Sequence, residues 1–139
     1  MFSRIVGAIH ESPVIELTEQ GKIVDKIINH LPSHLGVQIE RYVIMPNHIH
    51  LIIMISCTEV FRAIHESPLR SRSVISKTVG YIKMNASKEI HLQYEHTNIW
   101  QRGFHDHVIR DQNDYEMIVK YIHENPLRWQ YDCFYTEGE

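Results

Sequence analysis

The sequence predicts an α+β fold, a ferredoxin-like antiparallel sheet with helices packed on it. Three observations point there. Apolar residues recur at helical spacing in three stretches and alternate at strand spacing in three others. Turn residues separate these stretches, giving the order helix, strand, strand, helix, strand, helix. At 139 residues the chain reads as a single domain over 1–139 with one core.

From Thr18 to Leu31, Ile23, Ile27 and Leu31 fall one helical turn apart, with Val24 and Ile28 beside them. Pro32 and Gly36 end that helix. In "VQIERYVIM" (37–45), Val37, Ile39, Arg41 and Val43 share one face of a strand. Pro46-Asn47 makes a tight connection, and 48–55 is a second strand. Residues 56–72 are polar and turn-rich, and read as a loop. "SVISKTVGYIKMNASKEI" places Ile75, Val79, Ile82 and Ala86 on one stripe of a second helix, with Gly80 a mild weak point. "GFHDHVIR" (103–110) alternates as a third strand. In "DQNDYEMIVKYIHENP" Asp111 or Asn113 caps a last helix, and Pro126 stops it.

A ferredoxin-like fold normally opens on a strand. Only a short segment within residues 3–17 has room for one, so the first strand reads as missing or atypical. "AIHESP" occurs twice, at 8–13 and 63–68, at a spacing that fits no stacked repeat. Each copy ends in Ser-Pro and is expected to close a segment in a turn.

Apolar residues make up 43% and charged residues 22%, as in ordinary globular proteins. No apolar run is long enough for a membrane helix, and "MFSRIVGAIHESP" lacks the pattern of a signal peptide. Cys57 and Cys133 form no disulfide framework, so the expectation is a reduced, cytoplasmic protein. The net charge of −3 hides an uneven distribution. Leu69 to Arg110 carries seven Lys/Arg against three acids, whereas the chain from Asp111 onward carries seven acids against two bases. A basic middle permits a local phosphate-binding surface, and a solvated helix face explains the same charges. The candidate contacts are Arg70, Arg72, Lys77, Lys83, Arg102 and Arg110.

Among eleven histidines, His48 and His50 stand out. Positions i and i+2 of a strand point to one face, and neutral imidazole is a common ligand for divalent metals. Tyr121 and Asn125 are four apart and share a helix face. If that helix lies over the histidine face, a phenol and an amide reach a bound metal together. Such a site suits phosphoryl transfer, with the phenolate attacking phosphorus. Each element also has a plain explanation. A His-x-His pair is often surface or hydrogen-bonded core. Tyr121 extends an apolar stripe with Met117 and Ile118, Asn125 suits a helix end before proline, and Trp100 and Trp129 read as core residues.

"MPNHIHLII" followed by "WQRGFHDHVIRDQNDYEMIVKYIHENPLRW" resembles the REP-associated tyrosine transposases, a branch of the single-tyrosine HUH transposases of the insertion-sequence-200 type. The resemblance runs from about Gly21 to Trp129. It implies that His48 and His50 bind a divalent metal, Mg²⁺ or Mn²⁺, with Asn125 completing the site. It implies that Tyr121 is the nucleophile, joined to the 5′ phosphate of cleaved single-stranded or hairpin DNA while a 3′ hydroxyl is freed. Members usually carry an additional strand before the first helix, and this sequence departs from them there. A truncated copy, or a homodimer in which a second chain fills the gap, is the expectation that follows. His105 and His107 in "HDH" match the first pair by spacing, but the resemblance gives them no metal role.

The expected function is therefore a metal-dependent single-stranded DNA endonuclease and strand transferase, nucleoid-associated through its DNA. The alternative is a domesticated DNA-binding protein of the same fold that has lost catalysis. A nucleotide hydrolase of the histidine-triad kind is disfavoured. It needs a further histidine where Ile52 stands.

Overall fold

The computed structural model describes residues 1–6, 14–58, 69–95 and 98–131, without the side chains of 69–73 and 130. Both "AIHESP" copies, the middle of the expected loop at 56–72, and Cys133 lie outside the described residues. The strands are β1 (Ser3–Val6), β2 (Val14–Leu17), β3 (Val37–Ile44) and β4 (Ile49–Ile55). The helices are α1 (Glu19–Asn29), α2 (Leu69–Gln93) and α3 (Gln112–Glu124), with 3₁₀ turns at Ser33–Leu35 and Asn125–Tyr131. Among the described residues the strands form two antiparallel two-stranded sheets, β1 with β2 and β3 with β4. The class is α+β. No described helix is long and apolar enough to cross a membrane.

Two compact units emerge. The first comprises Met1–Lys22, Arg41–His50 and Gln101–Glu139, and the second Ile23–Glu40 and Leu51–Trp100.

The first unit shows that the first strand is atypical and not missing. β1 and β2 both precede α1, in the register Ser3↔Leu17, Arg4↔Glu16, Ile5↔Ile15 and Val6↔Val14. Each has four residues, too few for alternation to stand out from the surrounding sequence. Their place is fixed by backbone bonds. Thr18 N–H donates to Phe2 O (3.0 Å), and Phe2 N–H donates to Pro46 O (2.8 Å). Thr18 also caps α1, its hydroxyl accepting from Gly21 N–H at 3.2 Å. Phe2, Ile44, Met45, Pro46, Ile122 and Trp129 are among the buried apolar side chains of this unit, and the polar Ser3 is buried as well.

Gly21 permits this close approach. A Cβ there would run into the Phe2 carbonyl oxygen, which is backbone and has little room to yield. Gly21→Ala is therefore expected to destabilise the protein by about 1–3 kcal/mol, as overpacking does. Gly80→Ala is the control, because an added Cβ there meets nothing within 4 Å. In a helix it is expected to be neutral or stabilising by about 0.5–1 kcal/mol. Urea unfolding of the two variants checks the contrast, and equal midpoints would refute it.

In the second unit the apolar face of α1 supplies buried Ile23, Val24, Ile27 and Ile28. The buried stripe of α2 is Val74, Thr78, Ile82, Ala86 and Ile90, one residue from the stripe expected at Ile75 and Val79. Thr78 breaks the apolar pattern in sequence yet is fully buried, because its hydroxyl bonds Val74 O at 3.0 Å. Gly36 takes φ 66° to turn the chain into β3, and its carbonyl accepts from Ser56 N–H (2.9 Å) beyond β4. Trp100 is half-buried and donates its indole N–H to Lys83 O (3.1 Å).

The expected third strand at 103–110 does not form. Residues 101–108 are all exposed, and no strand is assigned there. Alternation specifies a strand only where a sheet face is available to bury one side and a ladder to pair the backbone. Gly103 adds a left-handed kink at φ 83°.

Candidate active site

The site lies within the first unit and begins at the β3–β4 connection. Pro46 and Met45 are buried, and Met45 N–H donates to His48 O at 2.9 Å. With the Phe2 bond to Pro46 O, this holds the turn on both sides. His48 leaves the turn and His50 is the second residue of β4, so both imidazoles project together as strand geometry requires. Their Nε2 atoms are 3.1 Å apart, and the rings meet edge to face with centroids 4.7 Å apart. Asn47 Oδ1 lies 2.9 Å from His48 Nδ1. Trp129 lies against His48 with ring centroids 5.8 Å apart, so it is a core residue that also forms one wall of the site.

α3 supplies the opposing groups. Asp111 caps it, accepting from Asp114 N–H at 2.8 Å, and the α-helix closes at Glu124 before Pro126. Tyr121 and Asn125 follow one turn apart on this helix. The Tyr121 ring stands edge-on to His50 with centroids 5.2 Å apart, and the residue is 51% exposed, so it is no core aromatic. Met117 is exposed as well, which removes the reading of Tyr121 as part of an apolar stripe. Asn125 is only 3% exposed, and its Nδ2 lies 3.2 Å from His50 Nε2. Its Oδ1 is buried without a hydrogen-bond partner. A buried amide oxygen left this way costs about 1–3 kcal/mol unless something else satisfies it.

These distances pass the test for a cation. An ion with bonds of about 2.0–2.1 Å to two ligands at right angles holds those ligands about 3 Å apart. That matches the His48–His50 nitrogen separation. No three His, Cys, Asp or Glu side chains converge among the described residues, so a third ligand to such an ion would be of another type, and the Asn125 amide is adjacent.

His105 and His107 are placed differently. Both are exposed, and His107 Nε2 contacts both Asp114 carboxylate oxygens at 3.1 and 2.9 Å. The His107 hydrogen bond above all, helped by the Arg110 N–H, holds the Asp114 carboxyl below the usual carboxylate range. A lowered carboxylate pKa favours the fold above its unfolded value, and that contribution is lost as pH falls through the lowered one. This pair ties 107–110 to the start of α3.

The basic candidates divide between the units. Arg102 and Arg110 are exposed in the first. Lys77 is exposed and Lys83 half-buried on α2 in the second, where Arg70 and Arg72 also lie on the helix with their side chains undescribed. Sequence reasoning did not assign roles to Asn47 or Trp129 in the site. Asn47 precedes the histidine pair directly, and that adjacency was the available signal.

Comparison with known proteins extends the picture. The profile of the family described as "Transposase IS200 like" matches residues 5–125. The chain belongs to this family. The match begins inside β1, so β2 and the second half of β1 lie within the matched span. A Haemophilus influenzae protein named only "Uncharacterized protein" is 31% identical over 134 residues, covering 88% of this chain and 73% of its own length. Another from the same organism, named "Putative REP-associated tyrosine transposase", is 27% identical over 114 residues. That alignment covers 76% of this chain and 63% of the relative. No solved structure matches.

Proposed function

We propose that the chain is a metal-dependent, single-strand-specific DNA nicking and strand-transfer enzyme with Tyr121 as nucleophile. The observation that carries the reading is the convergence of His48 Nε2, His50 Nε2 and the Asn125 amide within 3.2 Å steps, with the exposed Tyr121 ring against His50. His48, His50 and Asn125 would hold Mg²⁺ or Mn²⁺, whose charge favours attack on a phosphodiester by offsetting the negative charge that builds on phosphate. The Tyr121 oxygen bonds to phosphorus while the bond from phosphorus to the 3′ oxygen breaks. The phenolic proton passes to solvent, and the departing 3′ oxygen takes up a proton to leave a hydroxyl. Attack by a 3′ hydroxyl on the phosphotyrosine reverses these changes and joins a new strand.

The family supports DNA as the partner, and the exposed cations Lys77, Arg102 and Arg110 suit phosphate contacts. The rival reading, a binder without chemistry, drew on an absent first strand. The β1–β2 hairpin before α1 weakens that ground.

The test uses a pool of labelled oligonucleotides, single-stranded, hairpin and blunt duplex, with Mn²⁺. Single-stranded and hairpin forms are expected to bind preferentially, to lose affinity as salt rises, and to yield a protein–DNA species that survives denaturant. Equal binding of blunt duplex with a flat salt response would refute the choice of substrate.

A further inference from the structure

We infer that Asn47 is a positioning residue that fixes the tautomer and ring orientation of His48. An amide oxygen can only accept a hydrogen bond, so its 2.9 Å contact with His48 Nδ1 places the ring proton on that nitrogen. His48 Nε2 is then left with its lone pair directed at His50 Nε2, 3.1 Å away. On the far side, Asn125 Nδ2 donates toward His50 Nε2, which makes that nitrogen an acceptor as well. Asn47 thus leaves His48 Nε2 as the ring nitrogen able to bind a positive ion, while Asn125 orients His50 from the other side.

The backbone explains why an exposed asparagine can hold this geometry. Asn47 sits between two anchored residues. Pro46 is buried and its carbonyl accepts from Phe2 N–H, while the carbonyl of His48 accepts from Met45 N–H. With the turn fixed at both ends, the short Asn47 side chain has few ways to point, and one places its oxygen on the neighbouring ring. The N-terminal segment before β2 therefore contributes to the site through Phe2, the turn and Asn47 in sequence. Groups that orient a metal-bound histidine through its second nitrogen commonly change metal affinity by about 10–100-fold when removed.

This inference rests on the proposed ion site, and two measurements separate them. Imidazole nitrogen NMR shifts report which ring nitrogen of His48 carries the proton, with or without metal. Titration calorimetry with Mn²⁺ reports affinity. In the parent protein His48 is expected to be protonated at Nδ1. Asn47→Ala is expected to shift that proton toward Nε2 and weaken Mn²⁺ binding at least about tenfold. Asn47→Asp keeps an acceptor oxygen in place and is expected to restore both the tautomer and the affinity. An Asn47→Ala protein with unchanged tautomer and unchanged affinity would overturn the role of Asn47 and leave the ion site standing. A parent that binds no Mn²⁺, yet whose His48 tautomer responds to Asn47→Ala and recovers with Asn47→Asp, would overturn the ion site and support the positioning.

Discussion

Tyr121→Phe is expected to leave the protein folded and able to bind DNA, and to abolish the covalent protein–DNA species. The Tyr121 side chain is half exposed, and its structural contact is the ring edge against His50, which phenylalanine retains. Loss of an exposed hydroxyl changes stability by about 0.5 kcal/mol or less. Chemistry is a different matter. The phenolic oxygen is the group proposed to bond to phosphorus, and removing a nucleophile from a concerted set of groups costs several orders of magnitude in rate. The drop is expected to exceed about a thousandfold, to background on a denaturing gel. Tyr115→Phe, on the same helix, should leave adduct formation intact. Peptide mapping of the parent adduct is expected to place the nucleotide on Tyr121. An adduct that persists in Tyr121→Phe, or maps to Tyr115, would sink the assignment. Binding without any adduct in the parent would favour the protein that keeps the fold and not the chemistry.

What the sequence made legible follows from where local pattern and tertiary context agree. α1, β3, β4 and α3 carry long periodic runs with strong stops at Pro32, Pro46-Asn47 and Pro126, and their bounds fall within two residues of expectation. The convergence of His48 and His50 needs only the two-residue period of a strand, and that of Tyr121 and Asn125 only the helical turn. β1 and β2 were obscure because four-residue strands are specified by partners more than by their own sequence. The bonds from Phe2 to Pro46 and from Thr18 to Phe2 are long-range. The segment at 103–110 failed in the opposite sense. It alternates well, but every side chain from Phe104 to Val108 faces solvent, and it is held by the hydrogen-bonded contact between His107 and Asp114. The same contact separates the two histidine pairs. His107 is matched to a carboxylate, whereas His48 and His50 face each other and an amide whose oxygen is unsatisfied.

His50→Ala is expected to remove Mn²⁺ binding and adduct formation together, while His105→Ala retains both. His50 is the centre of the cluster, meeting His48 through Nε2, Asn125 through the same nitrogen, and Tyr121 through its ring. Truncation deletes one donor of the proposed three and leaves the buried Asn125 amide with a second unpaired atom. That costs about 1–3 kcal/mol of stability on its own, so a lower melting temperature without metal would not by itself identify a ligand. The metal dependence does. A ligand bound only by the folded state stabilises it by RT ln(1 + [L]/Kd), about 2.7 kcal/mol at a hundredfold excess over Kd. For a chain of this length that raises the melting temperature by about 5–10 °C. The parent and His105→Ala are expected to show this rise as Mn²⁺ is added, and His50→Ala to melt at the same temperature at every concentration. If His50→Ala still responds and His105→Ala does not, the ion belongs with the exposed histidines, and the site at the β3–β4 turn fails as its location.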